Sequence, residues 1–175
     1  MNDKNRQKNI GKTCAYIGVF TALTIAAQLC LSFLPGVEVV TVLFVAFAFA
    51  FGWRNGMAAA TAFSLLRQLV FGFFPTVLVL YLIYYNLLAL AFGVLGRKVA
   101  LHPKNLVWLT AVACVCTVGF TMLDNIITPL WYGYSGRVLR LYFMASFAVM
   151  LPQVVCTAVS VGVLFLPLTS LFRKL

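Results

Sequence analysis

The chain has 175 residues, 63% of them hydrophobic and 9% charged, with a mean hydropathy of +1.03. An ordinary soluble domain is about 45–50% apolar and about 25% charged. A globule of this size has too little interior to hide the difference, so soluble enzyme folds are excluded and an integral membrane protein is expected. Thirteen Lys and Arg against three Asp and Glu give a net charge of +10, which in a soluble chain would point to nucleic acid. Here the basic residues stand at the ends of apolar runs, where they set membrane orientation, and nucleic acid is not expected as a partner.

A basic tail, Met1 to Lys12, precedes a first apolar run from Thr13 to Leu34, which stops at Pro35-Gly36. The run is too long for a signal-peptide core and reads as a retained span. A second, shorter run covers Val37 to Phe51 and is followed by a turn, Gly52-Trp53-Arg54-Asn55-Gly56. The third covers Met57 to Phe73, and the fourth Thr76 to Leu95. A His102-Pro103-Lys104-Asn105 turn leads into the fifth, Leu106 to Leu130. The aromatic stretch Trp131 to Arg137 then separates it from the sixth, Leu141 to Leu171, where Pro152 is expected to kink the helix.

The expected fold is therefore an all-α integral membrane protein, a single domain of six transmembrane helices with both termini cytoplasmic. That topology places ten of the thirteen basic residues inside: Lys4, Arg6, Lys8, Lys12, Arg54, Arg97, Lys98, Lys104, Arg173 and Lys174. Arg137 and Arg140 fall outside and Arg67 within a span, as the positive-inside rule requires.

The five cysteines, Cys14, Cys30, Cys114, Cys116 and Cys156, all lie in apolar runs, and His102 is the one histidine. No ligand set for zinc or haem is present, so the cysteines read as small packing residues, with no metal and no cofactor expected. A membrane enzyme would need a nucleophile–base set or a metal, and those parts are missing.

Charges within spans mark lined cavities or pairs. Glu38 opens the second span, Arg67 lies in the third, and Asp124-Asn125 in the fifth. Arg67 and Asp124 precede the outer ends of their helices by about 10 Å at 1.5 Å per residue. Gln28, Tyr81, Tyr84, Asn86, Tyr142 and Gln153 fall at similar or somewhat greater depth. Tyr84 and Tyr85 are adjacent, so one of them is expected to face the interior. The inner halves, such as Met57 to Ala62 and Leu88 to Gly93, carry no charge. A channel needs polar groups along its whole length, whereas a pocket open to the outside needs them in one half only. The alternative is that Arg67 pairs with Glu38 or Asp124 merely to hold helices together in a ligand-free structural or regulatory protein. Trp131, Tyr132 and Tyr134 read as an interfacial belt. Gly18, Ala22 and Ala26 form a stripe of small side chains on the first helix, suited to close helix contact within the chain or with a partner.

The six-helix plan, Ala22-Leu23-Thr24-Ile25-Ala26, the Gly52 to Gly56 turn and Leu164-Phe165-Leu166-Pro167-Leu168 together resemble the substrate-binding S component of energy-coupling factor (ECF) vitamin transporters. The stretch Pro35-Gly36-Val37-Glu38 is similar to one subgroup of that family. The resemblance implies a binding subunit in a prokaryotic plasma membrane that captures a vitamin or related micronutrient near the outer face. It implies docking of Gly18, Ala22 and Ala26 on a transmembrane partner, EcfT, which works with two cytoplasmic ATPases. It implies a lid over the first outer loop, Leu34, Pro35, Gly36 and Val37 to Val39, and a toppling motion that carries the cavity inward. The chain has no Walker-type phosphate loop and would borrow its motor. Thiamine-like, flavin, corrinoid and deazaguanine ligands all remain open.

Overall fold

The computed structural model describes the backbone of residues 3–33 and 39–174 and the side chains from Ile10 onward. Among the described residues there are six helices and no strand: α1 Asp3–Leu31, α2 Val40–Phe51, α3 Trp53–Phe71, α4 Pro75–Lys98, α5 Pro103–Tyr132 and α6 Gly136–Phe172. Four of them carry segments long and apolar enough to cross a bilayer: Ile10–Leu31, Pro75–Lys98, Pro103–Tyr132 and Gly136–Phe172. The 12 residues of α2 rise only about 18 Å, short of a hydrocarbon core about 30 Å thick. The 19 residues of α3 include Arg54, Asn55, Arg67 and Gln68. Glu38 and the expected lid, Leu34 to Val37, lie outside the described residues.

Helix α2 is the centre of the bundle. Every residue from Val40 to Phe49 is buried, which explains an apolar run with no polar face: a helix hydrophobic all round is enclosed on all sides. α3, α4 and α6 pack along it, and α1 touches it more lightly. Aromatic rings fill the joints. Phe20 of α1 stacks on Phe47 at 4.0 Å, Phe44 meets Phe63 of α3 and Tyr85 of α4, and Phe49 meets Phe165 of α6.

The α2–α3 corner is tighter than expected. The five-residue turn predicted over Gly52 to Gly56 reduces to Gly52 alone, because Trp53 to Gly56 already form the first turn of α3. Gly52 adopts φ 85°, which favours glycine, and its N–H donates to the carbonyl of Ala48 at 2.8 Å. The corner lies on α4 at backbone distance. A side chain at Gly93 would collide with the Trp53 backbone, and one at Gly96 with the Phe49 carbonyl. Gly56 is wedged between Ala48 and Ala89. Close approach through small residues is the main source of helix contact energy where lipid is as apolar as the protein.

Contacts at the two ends establish an up-and-down order. At one end Tyr16 meets Phe51, Phe51 meets Phe172, Arg97 lies beside Gly52, and Arg173 sits over the Phe49 ring. The ends of α2, α4 and α6 therefore share this basic end with the start of α3. At the other end Gln28 of α1 reaches Tyr81 of α4, and Tyr134 beyond α5 meets Tyr142 of α6. α6 is 37 residues long and runs unbroken through Pro152 and Pro167. Its buried residues, Thr157, Ser160, Val161, Phe165 and Thr169, all belong to the half nearer the basic end.

The glycine contacts predict a sharp contrast. Gly96→Val should destabilise the protein by about 1–3 kcal/mol or more, the usual cost of overpacking. Gly162→Val, where an added side chain meets nothing within 4 Å, should cost much less. Thermal unfolding of both variants in detergent measures the difference.

Candidate functional site

The end opposite the basic one gathers most of the polar side chains predicted from sequence, in two clusters. The first lies among α1, α3 and α4. Gln28 Nε2 donates to the Tyr81 hydroxyl at 3.3 Å. The Arg67 guanidinium stands between two rings, 4.7 Å from the centroid of Tyr81 and 4.8 Å from that of Phe71. Cation–π contact of this kind is worth about 0.5–2 kcal/mol, and it orients the group without satisfying its N–H donors. Arg67 Nε and Nη1 are buried and reach no hydrogen-bond partner among the described residues, and Gln28 Oε1 is in the same condition. Next to Arg67, Gln68 accepts from the Phe74 backbone N–H at 2.9 Å and so ties down the α3–α4 connection.

The second cluster lies between α5 and α6. Asp124 accepts from the Tyr142 hydroxyl at 2.6 Å and from Thr128 Oγ1 at 2.7 Å. Phe120, Thr121, Asp124, Tyr142, Ser146 and Gln153 are among the residues lining a cavity of about 240 Å³. For scale, a cavity of about 150 Å³ takes up a benzene ring. Asn125 is 3% exposed, and neither its Nδ2 nor its Oδ1 has a partner; the buried Thr121 hydroxyl is also unpartnered. Phe120 stands between the clusters. It lines the cavity on one side and meets the rings of Tyr81 and Tyr84 at 5.9 and 4.8 Å on the other.

Helix spacing explains the second cluster. The buried face of α5 is Leu109, Ala113, Thr117, Thr121, Asn125 and Pro129, one residue every four. It changes from apolar to polar along its length. Midway, Thr117 and Thr157 share a hydrogen bond at 3.0 Å that joins α5 to α6. At the basic end, among the described residues, the unpartnered buried groups are two hydroxyls, Thr110 and Thr169.

Three expectations need correction. Tyr84 and Tyr85 are both buried, because α5 covers one flank of α4 while α2 and α3 cover the next. Tyr84 meets Phe120, and Tyr85 meets Phe44 and Phe63. Asn86 belongs to neither cluster; it donates to the Leu82 carbonyl of its own helix and accepts from Thr61 of α3 at 3.3 Å. Of the two partners considered for Arg67, Asp124 is engaged by Tyr142 and Thr128 while Arg67 lies between two rings, and Glu38 lies outside the described residues. The sequence reading missed Gln68, Phe120, Thr121 and Thr128. Thr121 was within reach, since it lies four residues before Asn125 and four after Thr117. Trp131 and Tyr132 are more than half exposed, 56% and 52%, as suits an interfacial belt.

On α1, Gly18, Ala22 and Ala26 are all exposed, flanked by Val19 at 71% and Leu23 at 49%. The opposite face buries Phe20, Thr21 and Thr24. Within the described chain, the stripe therefore packs on nothing. Among the described residues, no group of three or more His, Cys, Asp or Glu side chains comes together as a metal site.

The Asp124–Tyr142 bond should couple α5 to α6. In a double-mutant cycle of Asp124→Asn and Tyr142→Phe, unfolding in detergent should give a coupling of about 1–3 kcal/mol. Strict additivity would mean that the bond contributes nothing.

No family model matches the chain, and neither a curated protein nor a solved structure matches it significantly.

Proposed function

We propose that the chain is a membrane-embedded solute-binding subunit of the ECF S-component type. It captures a vitamin or related micronutrient at the polar end and passes it on through a separate motor, EcfT with two ATPases. In this reading all six helices form the membrane domain of a prokaryotic plasma membrane protein, with the basic end and both termini cytoplasmic. The chain itself performs no chemistry. The observation that carries the proposal is the group of buried hydrogen-bonding atoms at the polar end that find no partner among the described residues: Gln28 Oε1, Arg67 Nε and Nη1, Gln68 Nε2, Thr121 Oγ1, and both amide atoms of Asn125. Each is costly in a low-dielectric interior, and all lie toward one end. A polar ring-containing solute that met them would recover that cost on binding. Phe120, Tyr81 and Tyr84 offer it aromatic surface, and Asp124 and Gln153 line the adjoining cavity.

The exposed Gly18, Ala22 and Ala26 stripe supports the second half of the proposal. Small side chains left open on a membrane helix permit a partner helix to approach closely. Because these positions are exposed, Ala22→Trp and Ala26→Trp should leave folding and solute binding intact while abolishing uptake by cells that also make the motor. Uptake unchanged in both variants would remove the stripe from the docking surface.

The binding reading is tested by mass spectrometry of small molecules extracted from the purified protein. Thermal unfolding in the presence of thiamine, riboflavin, cobalamin and a deazaguanine accompanies it. A solute at 100 times its Kd should stabilise the fold by about 2.7 kcal/mol. Arg67→Met should abolish that gain yet leave the solute-free protein about as stable as before, because the buried Nε and Nη1 donors that lack partners among the described residues are removed together with the ring contacts. If no solute is found, none of the four stabilises the protein, and Arg67→Met lowers solute-free stability, the polar end is a structural lock and the binding proposal fails.

A further inference from the structure

A second concavity lies between α4 and α5 and extends along α4 from the level of Tyr84 toward the basic end. It is a groove of about 760 Å³ lined on the α4 side by residues from Tyr84 to Leu95 and on the α5 side by Cys116, Gly119 and Leu123. Its surface is almost wholly apolar. At Gly119 an added side chain would meet nothing within 4 Å, so the space is open beside the α5 backbone. From Tyr84 to Leu95 the groove runs about 16 Å along α4 at 1.5 Å per residue, which matches one leaflet's half of a hydrocarbon core about 30 Å thick.

The groove ends on positive charge. Positions 84, 88, 91 and 95 recur at helical spacing, and the next member of that series is Lys98, which is exposed. Lys104, in the first turn of α5, is also exposed and adds charge at the same end of the helix pair, whereas Arg97 turns toward Gly52. An apolar trough one leaflet long with ammonium groups at its mouth is complementary to one class of molecule. Basic pockets between membrane helices take anionic headgroups, and a lysine stem reaches toward the interface while its charge stays hydrated.

We infer that the α4–α5 groove seats one acyl chain of an anionic phospholipid in the leaflet at the basic end, with the headgroup on Lys98 and its neighbours. This inference rests on membrane embedding alone and does not depend on which solute the polar end binds. The bound lipid would fill a gap that helix packing leaves open between α4 and α5.

Native mass spectrometry of the delipidated protein, offered equal amounts of phosphatidylglycerol and phosphatidylcholine of the same chains, tests it. The wild type should retain one lipid and prefer phosphatidylglycerol. Lys98→Gln should cut that preference about fivefold, the effect expected of one basic residue near an anionic headgroup. Arg54→Gln, which removes a charge at the same end but off the groove, should leave the preference unchanged. Gly119→Leu, which fills open space, should reduce retention of both lipids. Equal retention of the two lipids by the wild type, a measurement that needs no variant, would overturn the inference. So would a Lys98→Gln effect no larger than that of Arg54→Gln, or undiminished retention by Gly119→Leu. A lipid-free dimer separated by Gly119→Leu would instead assign the groove to a second copy of the chain.

Discussion

Lipid tails are as apolar as Phe44 or Val45, so burying α2 inside the bundle gains little from the hydrophobic effect itself. What holds α2 in place is contact at a range that only small residues permit. Gly93 and Gly96 bring α4 against the backbones of Trp53 and Phe49, and Gly56 fits between Ala48 and Ala89. Once α2 is enclosed in this way, α3, α4 and α6 have a common core to pack on. The long helices can then extend beyond it to either side.

A fully enclosed apolar centre forces polar groups elsewhere, and they concentrate at one end. The balance there is uneven. Asp124 has Tyr142 and Thr128, and the Gln68 carbonyl oxygen has the backbone of Phe74. Among the described residues, Gln28, Arg67, Asn125, Thr121 and the amide nitrogen of Gln68 are left with unmet hydrogen-bonding capacity. The satisfied groups fasten helices to each other, and the unsatisfied ones make the same region a candidate for recognition. A purely structural lock would have no reason to keep the second set, since apolar residues of similar size serve at least as well.

The basic end follows the opposite rule. There the buried side chains are mostly apolar, with hydroxyls such as that of Thr169, and the α4–α5 groove that extends toward that end is lined mainly by aliphatic side chains beside Tyr84 and Cys116. The exposed small-residue stripe of α1 lies on a different flank from the α4–α5 groove, so a partner helix and a bound lipid need not compete.

The amino-acid sequence by itself determined the membrane class, the order of six helical segments, and the end of each helix at which Arg67, Asp124 and Gln28 lie. These follow from apolar run lengths and from a fixed rise per residue, which convert position in the chain directly into position along a helix axis. What the sequence left open was rotation about that axis. Only the tertiary structure decided that Tyr84 and Tyr85 are both buried, that Asn86 turns aside to Thr61, that Arg67 lies between two rings, and that α2 is central. Rotation is set by which neighbours pack on each flank. Those neighbours come from distant parts of the chain, brought together here by glycines whose role cannot be seen until the backbones meet.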